Sequence, residues 1–154
     1  MTDVTENPKG LIRPNANLDP STVKVGDRIP GLEKNPSTQQ LVKYAGASYD
    51  FYQIHYDTAF AEASGLPGVI VHGLLKAGFL GQLLTDWGGP DSFVRRIDVS
   101  YRGMDRPDNV YRLEGEVTAV TKGEDGVTVI DADIWGENAE GAKTTIGKGS
   151  LEIA

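Results

Sequence analysis

A chain of 154 residues fits one domain, and its 39% apolar and 24% charged residues are ordinary for a globular protein with a packed core. A net charge of −7 with no basic tract argues against a nucleic-acid surface, though a few local cations can still hold the phosphates of a small molecule. The absence of cysteine excludes disulfides and thiolate metal sites, which fits a cytoplasmic protein.

Residues 1–21 are rich in Pro, Asn, Asp and Thr without periodicity and read as a flexible N-terminal arm ahead of a single domain over 22–154. The first six residues are acidic and lack the apolar core of a signal peptide. Val23-Lys24-Val25-Gly26-Asp27 predicts a short strand running into a turn. Ser37, with Gln40 three residues later, has the form of a capping box and opens a helix to about Ala47, with Leu41, Val42 and Ala45 as its apolar face. A loop follows over Asp50–His55. Thr58–Ala63 predicts a helical turn or two, stopped at Ser64-Gly65-Leu66-Pro67-Gly68, and Val69-Ile70-Val71 is extended.

The stretch from Gly73 to Thr85 carries one charge, Lys76, and predicts a helix buried almost all round. Gly78 and Gly81 weaken it by about 1 kcal/mol each relative to Ala, a cost that a closely approaching backbone would offset. The apolar run near 66–84 is too short and too interrupted for a membrane span. Beyond Trp87-Gly88-Gly89-Pro90 the pattern changes to period two, around Ile97/Val99/Tyr101, Leu113/Val117, Thr128/Ile130/Ala132/Ile134 and Thr145/Leu151/Ile153. Turn signals at 106–109, 122–126 and 137–141 predict an antiparallel meander. The fold class is α+β, a curled antiparallel sheet around a buried helix, with open edges for another subunit to cover.

The two histidines, His55 and His72, lie seventeen residues apart. Imidazole is the side chain whose ordinary pKa lies near neutrality, so proton chemistry is sought here first. Asp50 and His55 share a loop and can hold one water between a carboxylate and an imidazole. Asp57 is placed to cap the helix at Thr58. His72-Gly73 precedes the long helix, whose unpaired N–H groups could hold an oxyanion; the alternative is an interior His beside a permissive Gly. Asp50, His55, Asp57 and His72 are also metal-ligand types, but without a compact ligand motif, and no metal is expected. No G-x-S-x-G, phosphate-loop or dinucleotide signature occurs.

Tyr44-Ala45-Gly46-Ala47-Ser48-Tyr49-Asp50, Ile54-His55-Tyr56-Asp57 and Val71-His72-Gly73-Leu74-Leu75 together resemble the MaoC-like, or (R)-specific enoyl-CoA hydratase, family. The resemblance spans roughly 22–154. It implies a hot-dog fold, usually paired into dimers. It also implies hydration of a trans-2-enoyl thioester to the (R)-3-hydroxyacyl thioester, or the reverse dehydration, without a cofactor beyond the CoA or pantetheine of the substrate. The family's water-activating pair carries over to Asp50 and His55. Its His-Gly turn carries over to His72, as a support, and Gly73, whose amide polarises the thioester carbonyl.

Three departures stand out: Tyr49 for the Gly before the Asp, Tyr52-Gln53 for Asn-Pro, and Gly81 for a small polar residue on the helix. Tyr49 and Tyr52 are candidates for shaping the acyl site. Lys76, Arg95, Arg96, Arg102 and Arg106 are candidates for phosphate binding, with Arg102 taken as the substrate-binding cation. The stretch from Thr85 to Pro90 is similar to hydratase-like subunits of bacterial steroid side-chain breakdown, some of which work in mixed pairs. The expected partners are therefore the thioester and a second chain, as a homodimer or a hetero-pair. A hot-dog thioesterase and a non-catalytic acyl-thioester-binding subunit are the alternatives.

Overall fold

The computed structural model describes residues 17–124 and 126–154. Five strands form one antiparallel sheet: β1 (Arg28–Lys34), β2 (Ser92–Tyr101), β3 (Tyr111–Lys122), β4 (Thr128–Glu137) and β5 (Lys143–Ile153). Their spatial order is β1-β3-β4-β5-β2. Only β3, β4 and β5 make the expected meander. β2 pairs with β5 at the far edge, with Val99 opposite Gly147 and Tyr101 opposite Thr145. The connection of nine residues from β2 to β3, 102–110, is therefore a crossing from one edge of the sheet to the strand next to the other edge. Alternation marks a strand but carries no information about its neighbour, which is why the meander was over-extended.

Between β1 and β2 come α1 (Thr38–Ser48), a 3-10 turn (Gln53–His55), α2 (Thr58–Ala63) and α3 (Gly73–Gly88). Ser37 caps α1 as expected, its Oγ accepting the Gln40 N–H at 3.2 Å. Asp57 caps α2 through Phe60 N–H at 3.0 Å. On α1, Leu41 and Ala45 are buried but Val42 is exposed, so the apolar face is narrower than its composition suggests.

α3 packs on the concave face of the sheet. Leu75, Phe79, Leu80, Leu83 and Leu84 form one stripe against Leu113, Ala132 and Ile134. Fully burying each leucine contributes about 1.5–3 kcal/mol. This is the hot-dog arrangement. The helix is not buried all round, however. Leu74 is exposed, and nothing lies within 4 Å of the position a Cβ on Gly78 would take. At Gly81 it is the Ile97 side chain, not a backbone, that comes close, 3.2 Å from such a Cβ. A five-stranded sheet covers one side of a helix, and the side beyond edge strand β2 stays open.

The chain joins this body earlier than composition suggests. Leu18 N–H donates to the Gly88 carbonyl, and its side chain packs on the cluster of Val117, Ile130 and Leu151. Residues 17–21 are thus docked, and the rest of the expected arm lies outside the described residues. The strand expected at Val23–Asp27 is a turn, closed by the Asp27 carboxylate accepting the Lys24 N–H, and the strand starts at Arg28.

Candidate active site

α1 ends at Ser48, and Tyr49 reverses the chain in the left-handed region, at φ 61°. A glycine adopts that conformation freely, whereas a side chain there costs about 1–2 kcal/mol. The family pattern's Gly at this position thus has a backbone reason, and Tyr49 pays it while leaving its ring 87% exposed. The reversal delivers Asp50 to the mouth of the 3-10 turn that carries His55.

His55 is buried and tied through Nδ1 to the Ile70 carbonyl at 2.8 Å. A carbonyl has no proton to give, so Nδ1–H is the donor, and in the neutral ring Nε2 keeps its lone pair. Nε2 faces Asp50 Oδ2 across 3.9 Å. That is too long for a direct hydrogen bond and fits two acceptors sharing one water. Asp50 is a third exposed, so the gap opens outward.

His72 is the N-cap of α3 and fully buried. Its ring stacks on His55 with centroids 3.8 Å apart, and meets the edge of Tyr44 at 5.0 Å. Tyr52 closes the column edge-on to His55 at 6.4 Å. Burial and the adjacent His55 hold the His72 pKa below its ordinary 6.5, with Asp50 opposing the shift, so His72 is neutral at pH 7. Its ring lies flat against that of His55.

Asp50, His55 and His72 offer ligand atoms within 4.8 Å of one another. The two imidazoles are nearly parallel, 19° apart. Imidazole lone pairs lie in the ring plane, so these do not converge on one ion, and the cluster is poorly shaped for a metal.

Gly73 opens α3 beside this column. Its N–H, like the next two, precedes the first helical bond, from Lys76 N–H to the His72 carbonyl. A Cβ on Gly73 would lie 3.0 Å from the Tyr101 ring, so only glycine lets that ring reach the helix end. Tyr101 and Tyr44 were not singled out as site residues from the sequence. Tyr101 falls in a strand alternation and Tyr44 heads the motif quoted for the family, and neither signals its neighbour in the His72-Gly73 turn.

The candidate cations divide sharply. Lys76 is buried and paired with Asp105 at 2.7 Å, which corrects its reading as a phosphate ligand. Arg95 pairs with Glu152 and Arg96 with Asp98. Arg102 and Arg106 are exposed and make no ion pair among the described residues. Arg102 follows Tyr101 directly in the chain, and its N–H donates to the Thr144 carbonyl. A groove of about 660 Å3, lined by Arg28, Asp133, Trp135 and Lys148, lies on the sheet face away from α3 and includes none of the site residues.

Residues 13–137 match the MaoC like domain family. The chain belongs to the MaoC-like dehydratase family. It is 30% identical over 118 residues to the 3-oxo-4,17-pregnadiene-20-carboxyl-CoA hydratase beta subunit of Mycobacterium tuberculosis, covering 74% of this chain and 88% of that protein. Among solved structures it resembles the ChsH1-ChsH2 complex of the same organism, at TM-score 0.76 and 28% identity over 86% of this chain and 99% of the matched one. It also resembles the (R)-hydratase from A. caviae involved in PHA biosynthesis, at TM-score 0.77 and 25% identity over 86% and 98%. The hot-dog fold and the hydratase/dehydratase character of this MaoC-like chain rest on these likenesses together with the architecture above.

Proposed function

We propose that the chain adds water to a trans-2-enoyl thioester, giving the (R)-3-hydroxyacyl thioester, or runs the reverse dehydration, on CoA or a carrier-protein pantetheine. The observation that carries this reading is the 3.9 Å gap between the His55 Nε2 lone pair and the Asp50 carboxylate. A water donating one hydrogen to each acceptor turns its oxygen lone pairs toward a substrate beside them. The oxygen attacks C3, and electrons move through C2 onto the thioester oxygen. One of the two acceptors takes a water proton and returns it to C2. Hydroxyl and hydrogen thus both come from one water, and the acceptor regains its starting form. The Gly73 N–H, at the positive end of α3, stabilises the enolate oxygen. Asp50 and His55 are the proposed catalytic residues, and His72 is the support beneath His55. No cofactor takes part beyond the substrate's own thioester carrier.

The exposed Tyr49 and Tyr52 rings and the free Arg102 guanidinium are the proposed contacts to acyl chain and phosphate. The relative named as a hydratase beta subunit favours a bulky acyl group and a paired assembly. Edge strand β2 exposes Phe93, Ile97 and, at its site end, Tyr101, which favours a second copy of this chain, or a related chain, along that edge. The cytoplasm is the proposed compartment; no helix among the described residues is long and apolar enough to cross a membrane.

The test is incubation of purified protein with a panel of enoyl-CoAs, bulky ones included, with chiral analysis of product. Formation of (R)-3-hydroxyacyl-CoA supports the reading. Release of free CoA without that product would assign a thioesterase instead. Tight acyl-CoA binding without turnover would assign a binding subunit.

A further inference from the structure

Lys76 lies in the first turn of α3, where the helix dipole disfavours a cation, and it is 2% exposed. A charge is retained in such a place only with a close partner. Asp105, from the crossing between β2 and β3, supplies it: Lys76 Nζ donates to Asp105 Oδ2 at 2.7 Å and to the Gly103 carbonyl at 3.0 Å. The Thr144 hydroxyl lies 2.9 and 2.8 Å from the two Asp105 carboxylate oxygens. The Thr144 carbonyl in turn accepts the N–H groups of Arg102 and Gly103.

Asp105 has a further bond that the ion pair does not need. Its backbone carbonyl accepts the Val71 N–H at 2.8 Å. One residue therefore grips the chain on both sides of His72-Gly73, at Val71 before the turn and at Lys76 after it. Tyr101 lays its ring on Gly73, with Lys76 Nζ 5.6 Å from the ring centroid. Glycine is the residue with the most backbone freedom to lose, so an N–H meant to face one oxygen needs both flanks held. Apolar side chains would fill this space without a stability cost, but they would not set a direction.

We propose that Lys76, Asp105 and Thr144 are positioning residues that hold the His72-Gly73 turn in register with Asp50 and His55. The proposal rests on the hydration reading above for its effect on rate, and on the structure alone for its effect on the turn.

The decisive variant is the double replacement Lys76→Met with Asp105→Leu, which removes both charges together. It is expected to unfold cooperatively near the wild-type temperature. Amide exchange at Val71 should rise about tenfold, and that in β3–β5 should not change. The kcat for enoyl-CoA hydration should fall about tenfold to a hundredfold, with KM nearly unchanged. Thr144→Val, which removes a single hydroxyl, should show the same pattern more weakly, and it decides the matter if the double variant does not fold. A folded variant with wild-type kcat and wild-type Val71 exchange overturns the proposal, because a packing role alone would be satisfied by apolar replacement. If the wild type hydrates no enoyl thioester, the functional reading fails separately, and exchange at Val71 still upholds or overturns the clamp.

Discussion

Two acid–base pairs bracket the His72-Gly73 turn, and they differ in what they have left to offer. Lys76 and Asp105 are 2.7 Å apart, with side chains 3% and 5% exposed, and Thr144 and the Gly103 carbonyl take up further bonding capacity. Asp50 and His55 stand 3.9 Å apart, one of them a third exposed, and with the imidazole neutral their facing atoms are both acceptors. The closed pair is spent on itself and fixes backbone. The open pair presents both its facing atoms to one outward-opening gap, the geometry that the proposed water uses. Proximity of an acid to a base is thus a poor guide to chemistry here: the tighter, more buried pair is the one proposed to hold backbone.

The sharpest way to break this contrast is to neutralise each pair in turn. Asp50→Asn or His55→Gln should lower the hydratase kcat by about 10²–10⁴-fold while unfolding temperature stays near the wild type. Near-normal crotonyl-CoA turnover by either variant would remove the site assignment. Asp105→Leu alone should instead act on stability as well as on rate, costing about 3–5 kcal/mol in urea unfolding because Lys76 is left buried without its partner. A loss under 1 kcal/mol would mean that the pair is not closed in solution.

Between these pairs lies His72, and its titration separates them further. Its pKa is lowered in the folded state by burial and by His55. Above about pH 6.5 both folded and unfolded forms are neutral and His72 contributes no pH dependence. As pH falls below that value the unfolded chain takes the proton first, so stability declines until the folded pKa is reached. Urea titrations from pH 7.5 to 5 should show this decline, and His72→Phe should flatten it. An equal slope in the variant would place the titrating group elsewhere.

The smallest expected effect is at Tyr49. Tyr49→Gly relieves a left-handed backbone and should gain about 1 kcal/mol or less, since glycine also loosens the unfolded chain. If turnover of bulky enoyl-CoAs falls while stability holds or rises, the exposed ring is a substrate contact; unchanged selectivity would make the strain incidental.

Much of this was legible along the chain because its causes are local. Ser37 and Asp57 each cap the helix that follows through an N–H three residues on, and Asp50 and His55 are brought together by one short loop. The long helix announced itself by a run of apolar residues. Lys76 was misread because its partner is 29 residues further on, in a crossing whose destination no periodicity encodes. The same crossing hid Tyr101, which reaches Gly73 only because β2 lies at the far edge of the sheet.

The chain's own pattern therefore settles the family and most of the element types, and it nominates the water-binding pair, since each depends on residues close in sequence. Tertiary structure decides which strand is the edge, which charges close on each other and which face of α3 stays open. Those outcomes depend on contacts between distant segments, and side-chain spacing says nothing about them until the sheet order exists. The 3.9 Å opening between Asp50 and His55 belongs to both: its residues come from one loop, but its width is set by the Ile70 carbonyl that holds His55 from behind.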